Sequence, residues 1–267
     1  MMAIALRFLR DKWVSLLIYS IASIGMMWMY VAMFPSILAQ SESYSKLAEA
    51  FPEAMLKAFG IDSFVLDSIE KFLSLEHLSM VWPLMIILLS VAFAGNAIAR
   101  EIDKGTIEHL LARPVSRMKI FFGRYIAGLL ALVVFVVLSM YAIIPIAAIH
   151  DISYLLSHFS TAVFLGLLFG WAIFSAAMML SSFFSDKGKV AMLIGGLLIL
   201  MYVLNIISGI KENLQNLQYL SFFHYFATND ALVKNVIGTE SIIVFAGAAI
   251  VCTIIGAWRF IRRDIAV

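Results

Sequence analysis

Charge is what this sequence has least of. Only 13% of its residues are Asp, Glu, Lys or Arg against 63% hydrophobic, and its mean hydropathy is +0.99. A soluble domain carries about 25% charged and roughly 45–50% apolar residues, so a globule surrounded by water is excluded. Cysteine is nearly absent. The single Cys252 excludes an internal disulfide and any cysteine-rich metal site, and its apolar neighbours make it a small buried hydrophobe. No two of His77, His109, His150, His158 and His224 stand four apart, and no H-E-x-x-H occurs, which argues against the zinc spacing of an intramembrane metalloprotease. There is no G-x-x-x-x-G-K-[ST], so the chain does not cradle ATP phosphates in a P-loop. Nothing points to nucleophilic catalysis or to nucleic acid, and no catalytic residue, metal or cofactor is expected.

What is present is apolar sequence in long runs. Stretches of about 20 residues, enough to cross a hydrocarbon core of roughly 30 Å, recur along the chain. They do not alternate as barrel strands do, and a bilayer cannot hydrogen-bond exposed backbone, so they must be helices. Six are expected, over 13–38, 78–99, 120–149, 155–184, 190–210 and 241–261, giving an all-α polytopic membrane protein with one transmembrane domain over 1–267. The first run exceeds the about 7–15 apolar residues of a signal peptide and reads as a retained span. With both termini in the cytoplasm, all but five of the 19 Lys and Arg residues lie inside; Lys46, Lys57, Lys71, Lys211 and Lys234 lie outside. Basic loops stay cytoplasmic, so this sorting fixes the orientation, and an odd number of spans would break it. The net charge of +2 says little beside it.

Three flanking segments have their own character. Residues 1–12 set Ile4, Leu6, Phe8 and Leu9 among Arg7, Arg10 and Lys12, the pattern of a helix at the cytoplasmic interface. The extracytoplasmic segment 40–77 carries Leu47, Phe51, Met55, Phe59, Phe64, Ile69, Phe72 and Leu73 at helical spacing amid acids. It predicts one or two amphipathic helices near the outer interface. Segment 211–240 holds an aromatic cluster over 219–226, of the kind found at membrane interfaces, and is predicted to dip back into the bilayer.

The loop over 100–119 is the most informative stretch. Gly105 releases the helix arriving from the second span. Thr106 is an N-cap, and Glu108 sits in the first turn opposite the positive end of the helix dipole. Ile107, Leu110 and Leu111 share one face, and Pro114 disfavours helix at Arg113. Ser116 caps the next helix. The spacing predicts a helix of two turns, about 10 Å long. A helix that short is not stable alone in water. Its apolar face flanked by Arg113 and Arg117 suits either a partner groove with an acidic rim or the neighbouring helix ends of the same chain.

Glu101-x-x-x-Gly105-Thr106-x-x-x-Leu110-Leu111-x-x-Pro114-Val115-Ser116-Arg117 resembles the signature loop of ABC-2-type transporter permeases. Ser221-Phe-Phe-His-Tyr-Phe226 before the last span and Phe260-x-Arg262-Arg263-Asp264 after it match as well, although the family usually has proline where Phe222 stands. The resemblance implies the ABC-2, type V exporter fold and a plasma-membrane location in a bacterium or archaeon. In that family the loop is a coupling helix docking on a separate ABC ATPase. A homodimer of the permease sits over two ATPase copies in the lipid bilayer, and ATP hydrolysis belongs to the other subunit. Some relatives serve copper-enzyme maturation, so export by alternating access and force transmission to an extracytoplasmic partner both stand.

A few residues invite sharper readings. Met26, Met29 and Met33 lie on one side of the first span; thioethers bind Cu(I), but methionine also fills gaps in apolar packing. Gly166-x-x-x-Gly170 permits close helix approach, in a dimer seam or within one subunit. Asn96 and Asn205 would face other helices, and Asn205 lines a possible substrate path or makes an interhelical hydrogen bond. No span carries an acid or base near its centre, where an ion-driven carrier would hold its coupling ion. That favours an external motor and an apolar or amphipathic cargo over a secondary carrier.

Overall fold

The computed structural model describes residues 1–40, 67–107 and 115–263. Helices make up its regular structure, and there is no strand among the described residues. Six are long and apolar enough to cross a membrane: α1, Met2–Leu38; α2, Ile69–Ala97; α3, Arg117–Ile149; α4, Leu156–Phe183; α5, Lys187–Ile210; and α6, Thr239–Arg262. The number matches the sequence expectation, and the boundaries fall within a few residues of it except at the starts of α1 and α2.

In α1 the expected interface helix and first span form one continuous helix, because no proline or glycine interrupts 2–24. In α2 the helix starts at Ile69, where Ser68 Oγ accepts the Lys71 N–H at 3.3 Å. The end of the segment expected at the outer interface therefore belongs to the core. Ile69, Phe72 and Leu73 are buried, and Phe72 packs on Phe34 and Tyr30 of α1 with ring centroids 5.7 and 6.1 Å apart. Leu47, Phe51, Met55, Phe59 and Phe64 lie outside the described residues. A single π-helical turn, His77–Val81, widens α2 just before Pro83, and His77 is fully buried within the helix. In α3 the break at Ala142 has a similar cause: Pro145 has no N–H to donate and its ring crowds the carbonyl of Tyr141, four residues back.

Burial places α4 at the centre, with 67% of its most apolar window enclosed, whereas α5 has only 17% and α1 22%. Two glycines allow the centre to close. A Cβ on Gly166 would stand 2.5 Å from the Trp82 ring, and one on Gly170 would stand 2.6 Å from Ile86. The small-residue pair thus seats α4 against α2 within one subunit, which settles its role as internal packing. The Trp82 indole donates to Ser139 Oγ at 3.0 Å, and its ring stacks with Phe135 and Phe226. A hydroxyl cluster ties three helices together. Tyr125 Oη lies 2.7 Å from Ser175 Oγ and accepts from Trp171 Nε1 and Thr253 Oγ1, each also at 2.7 Å. Such bonds in an apolar surrounding contribute about 0.6 kcal/mol each on average.

The aromatic cluster before α6 turns inward. Phe226 stacks on Phe169 of α4 at 4.4 Å, and Phe223 and Phe245 pack around the same ring. Ser241 Oγ closes the segment by donating to the Tyr225 carbonyl at 2.7 Å. At the same end Glu70 is buried, and its carboxylate accepts the Leu155 N–H at 2.7 Å, where the α4 helix dipole favours a negative charge.

Candidate functional site

The other end of the bundle carries the loop between α2 and α3, and two arginine-centred arrangements hold the loop's two sides. At its entrance α2 stops at Ala97, Ile98 leaves helical geometry with φ −131 and ψ −59, and a short helix, Ala99–Asp103, follows. Arg124 of α3 reaches this break. Its Nη1 donates to the Ala97 carbonyl at 2.5 Å and lies 3.5 Å from the Asn96 carbonyl, while its Cζ stands 5.4 Å over the Phe8 ring. The same nitrogen is 3.5 Å from Glu101 Oε1. The second Glu101 oxygen accepts the Thr106 hydroxyl at 2.7 Å. Gly105 adopts a left-handed conformation with φ +68, which a Cβ would disfavour, and the chain folds back so that the Ile107 N–H reaches the Glu101 carbonyl at 3.0 Å.

At the loop's exit Ser116 caps α3, its Oγ accepting the Lys119 N–H at 3.4 Å. Arg117 donates to the backbone carbonyls of Arg263 and, at 3.3 Å, Ile261, at the end of α6. Arg263 in turn is buried and donates to the Ser182 carbonyl at 3.0 Å, the Phe184 carbonyl at 3.2 Å and Ser185 Oγ at 2.5 Å. Desolvation, helped by the charge of Arg259, pushes the Arg263 guanidinium below its ordinary pKa. Arginine nevertheless stays charged, so these are charge-assisted bonds. The clasp joins the exit of the loop to the ends of α4 and α6 and to the turn into α5.

The structure therefore brings Glu101, Gly105, Thr106, Ile107, Val115, Ser116 and Arg117 together on one end of the bundle. Leu110, Leu111, Arg113 and Pro114, with the expected two-turn helix, lie outside the described residues. Ile107 is only 3% exposed and joins the subunit's own core.

Family comparison decides what this chain is. The model of the ABC-2 family transporter protein matches residues 5–265, nearly the whole chain. The chain belongs to the ABC-2 transporter family. No curated protein matches it. The permease is thus the membrane subunit of an ABC transporter, whose family pairs it with an ABC ATPase.

Several residues that build the permease's loop end escaped the sequence reading. The sequence does not single out Arg124, Arg100 or Ser181, and it predicts only that Asn96 faces other helices. Asn96 donates to the Ala92 carbonyl of its own helix at 2.6 Å and accepts from Arg100 of the short helix at 2.9 Å. One signal was available: Arg124 lies inside an apolar run, and a charge there must find partners. Of the other candidates, Asn205 is half-buried on the sparsely covered α5. Met29 and Met33 face outward from α1, and Met26 is half-buried. No group of three or more His, Cys, Asp or Glu side chains that could hold a metal occurs among the described residues.

Proposed function

We propose that the permease exports an apolar or amphipathic compound by alternating access, driven by a separate ATPase that docks on the 100–119 loop. Two copies of the permease pair over two ATPase subunits in the plasma membrane of a bacterium or archaeon, with both termini and the loop in the cytoplasm. The observation that carries this reading is the double anchoring of the loop. Arg124 with Glu101 fixes its entrance and Arg117 with Arg263 its exit, so a push on residues between them reaches α2, α3, α4 and α6 together. By the helical spacing of the sequence, Leu110 and Leu111 are the residues that face the partner. Support for an apolar cargo comes from the spans, none of which carries an acid or base near its centre.

The test is Leu110→Asp. A carboxylate on the docking face would have to lose its water against the partner, which costs about 1–3 kcal/mol for a polar group and more for a charge. ATPase association should weaken at least about tenfold, since 1.4 kcal/mol corresponds to one power of ten. Membrane insertion and melting temperature should stay as in the parent, and Lys119→Ala should be nearly silent. A Leu110→Asp variant that binds and stimulates its ATPase normally would show that the loop is not the coupling element. In proteoliposomes, ATP turnover stimulated by an extracytoplasmic protein and not by an amphipathic solute would assign force transmission instead of export.

Orientation has its own test. In a Cys252→Ala background, a cysteine at exposed Lys104 should resist a membrane-impermeant maleimide in intact cells, and one at exposed Val236 should react. Labelling at Lys104 from outside would reverse the topology.

A further inference from the structure

The break at Ile98 has no proline behind it, and the one glycine of the last turn, Gly95, lies three residues before it. The common origins of a sharp kink are proline, glycine or serine pairs, a π-bulge, or a side chain inserted into the helix hydrogen-bond ladder. Here the last applies. Ala97, Ile98 and Ala99 are all buried, so backbone groups freed by the break need partners from elsewhere. The Glu101 and Ile102 N–H groups both turn to the Ile98 carbonyl, at 3.0 and 3.1 Å, which leaves the Ala97 carbonyl without its usual helical donor. Arg124 of α3 fills that place at 2.5 Å, and Ser181 of α4 accepts the freed Ala99 N–H at 3.0 Å. Two neighbouring helices thus hold one broken backbone open.

We infer that Ile98 is the hinge on which the Ala99–Asp103 helix turns as a lever against α2, and that Arg124 is the positioning residue that latches it. The latch acts on both sides of the hinge with one side chain. Its bond to Ala97 grips the span, and its ion pair with Glu101 grips the lever, which passes the constraint to Thr106 and the start of the loop. On the span side the hinge is further seated by Asn96, which ties Arg100 on the lever to Ala92. A push on the loop therefore need not tilt all of α2; it exchanges a few hydrogen bonds at one buried point. The role of the lever rests on the reading of the loop as the ATPase contact. The hinge itself does not.

The hinge is measured on the purified permease alone, with Cys252→Ala. Spin labels at Lys104 on the lever and Lys189 at the start of α5, both exposed, report the lever's position by pulsed electron resonance. A second pair, Lys189 and exposed Arg262 at the end of α6, spans no part of the hinge. The parent protein should give one narrow distance for each pair. Arg124→Gln should raise the population of displaced lever positions at least about tenfold, the worth of a single charge-assisted hydrogen bond, and leave the control pair unchanged. Arg124→Lys, which keeps one charged donor but loses the planar fork, should restore part of the narrow distribution. Glu101→Gln should loosen the lever less than Arg124→Gln, because the Ala97 carbonyl stays capped. Were Arg124→Gln not to survive purification, Arg124→Lys and Ser181→Ala give the same comparison in milder form.

An unchanged Lys104–Lys189 distance in Arg124→Gln overturns the inference, and so does equal broadening of both pairs, which would make Arg124 a general packing residue. With the ATPase added, Arg124→Gln should still bind it but lose the nucleotide-dependent shift of the lever. If Leu110→Asp shows that the ATPase does not contact the loop while the spin-label result stands, the hinge survives and the coupling reading fails.

Discussion

Leucine in place of Gly128 should leave no folded permease to purify. A Cβ at this position of α3 would lie 2.1 Å from Cζ and 2.5 Å from Cε2 of Phe174 on α4, far inside any van der Waals separation. The ring has nowhere to go. Phe174 is 1% exposed and packs against Tyr125 with centroids 5.4 Å apart, and Tyr125 is itself held by Ser175, Trp171 and Thr253. Overpacking a core typically costs about 1–3 kcal/mol, and alanine alone should reach the top of that range here. Leucine adds three further carbons at the same point, against a total stability of about 5–15 kcal/mol. The expected readout is aggregation on detergent extraction for Gly128→Leu and a lowered melting temperature for Gly128→Ala. Gly195→Leu and Gly196→Leu on α5 are the controls, because nothing lies within 4 Å of a Cβ at either. Those variants should keep the subunit fold, and a dimer that dissociates on Gly195→Leu would place the partner copy on α5. A Gly128→Leu protein that melts like the parent would mean that α3 and α4 do not pack as described.

Arg263→Ala should be the most damaging change among the basic residues beyond α5. Its guanidinium donates to two carbonyls and a hydroxyl where α4 ends and the chain turns into α5, with the side chain buried. Hydrogen bonds from a charged donor contribute about 1.5–3 kcal/mol each, and orphaned buried acceptors cost about 1–3 kcal/mol. These terms overlap, so a net loss of about 3 kcal/mol is expected. Arg117 keeps its acceptors, the backbone carbonyls of residues 261 and 263, but the segment that presents them is no longer fixed by the Arg263 side chain. Arg259→Ala and Arg262→Ala should cost far less. Those guanidinium groups lie 5.5 and 4.8 Å over the rings of Phe183 and Trp258, contacts that contribute about 0.5–1 kcal/mol at exposed sites. Melting curves of the three variants order the effects, and tryptic cleavage after Lys187 should accelerate only in Arg263→Ala. Equal melting of all three would dissolve the clasp, and Arg263→Lys should recover part of the loss as a single point donor.

How far each element could be read in advance follows from the range of the interactions that make it. The six spans were legible because the bilayer acts on every residue of a run at once, and length with hydropathy suffices to find them. Ser116 and Gly105 were legible because caps and left-handed turns are set by one side chain and its own backbone. The starts of α1 and α2 were not, because the sequence marks where apolarity begins and not where helix begins. Ile69, Phe72 and Leu73 read as an interfacial stripe until Phe34 and Tyr30 are seen to cover them. The aromatic cluster over 219–226 read as belonging to an interface, and only the room beside Trp82 and Phe169 admits Phe226 to the core.

The sequence by itself determined the solvent, the number of spans, the sorting of basic residues and the loop motif that marks the family, all of which depend on composition or on neighbours a few positions apart. Only the tertiary structure decided that Gly166 and Gly170 serve α2 and not a second copy, that Ile107 turns inward, and that Arg124 and Arg263 hold the two sides of the loop. The physical reason is the same in each case. A glycine's lack of a Cβ and an arginine's five donors are permissions with no direction of their own, and they acquire one from helices brought beside them from distant parts of the chain.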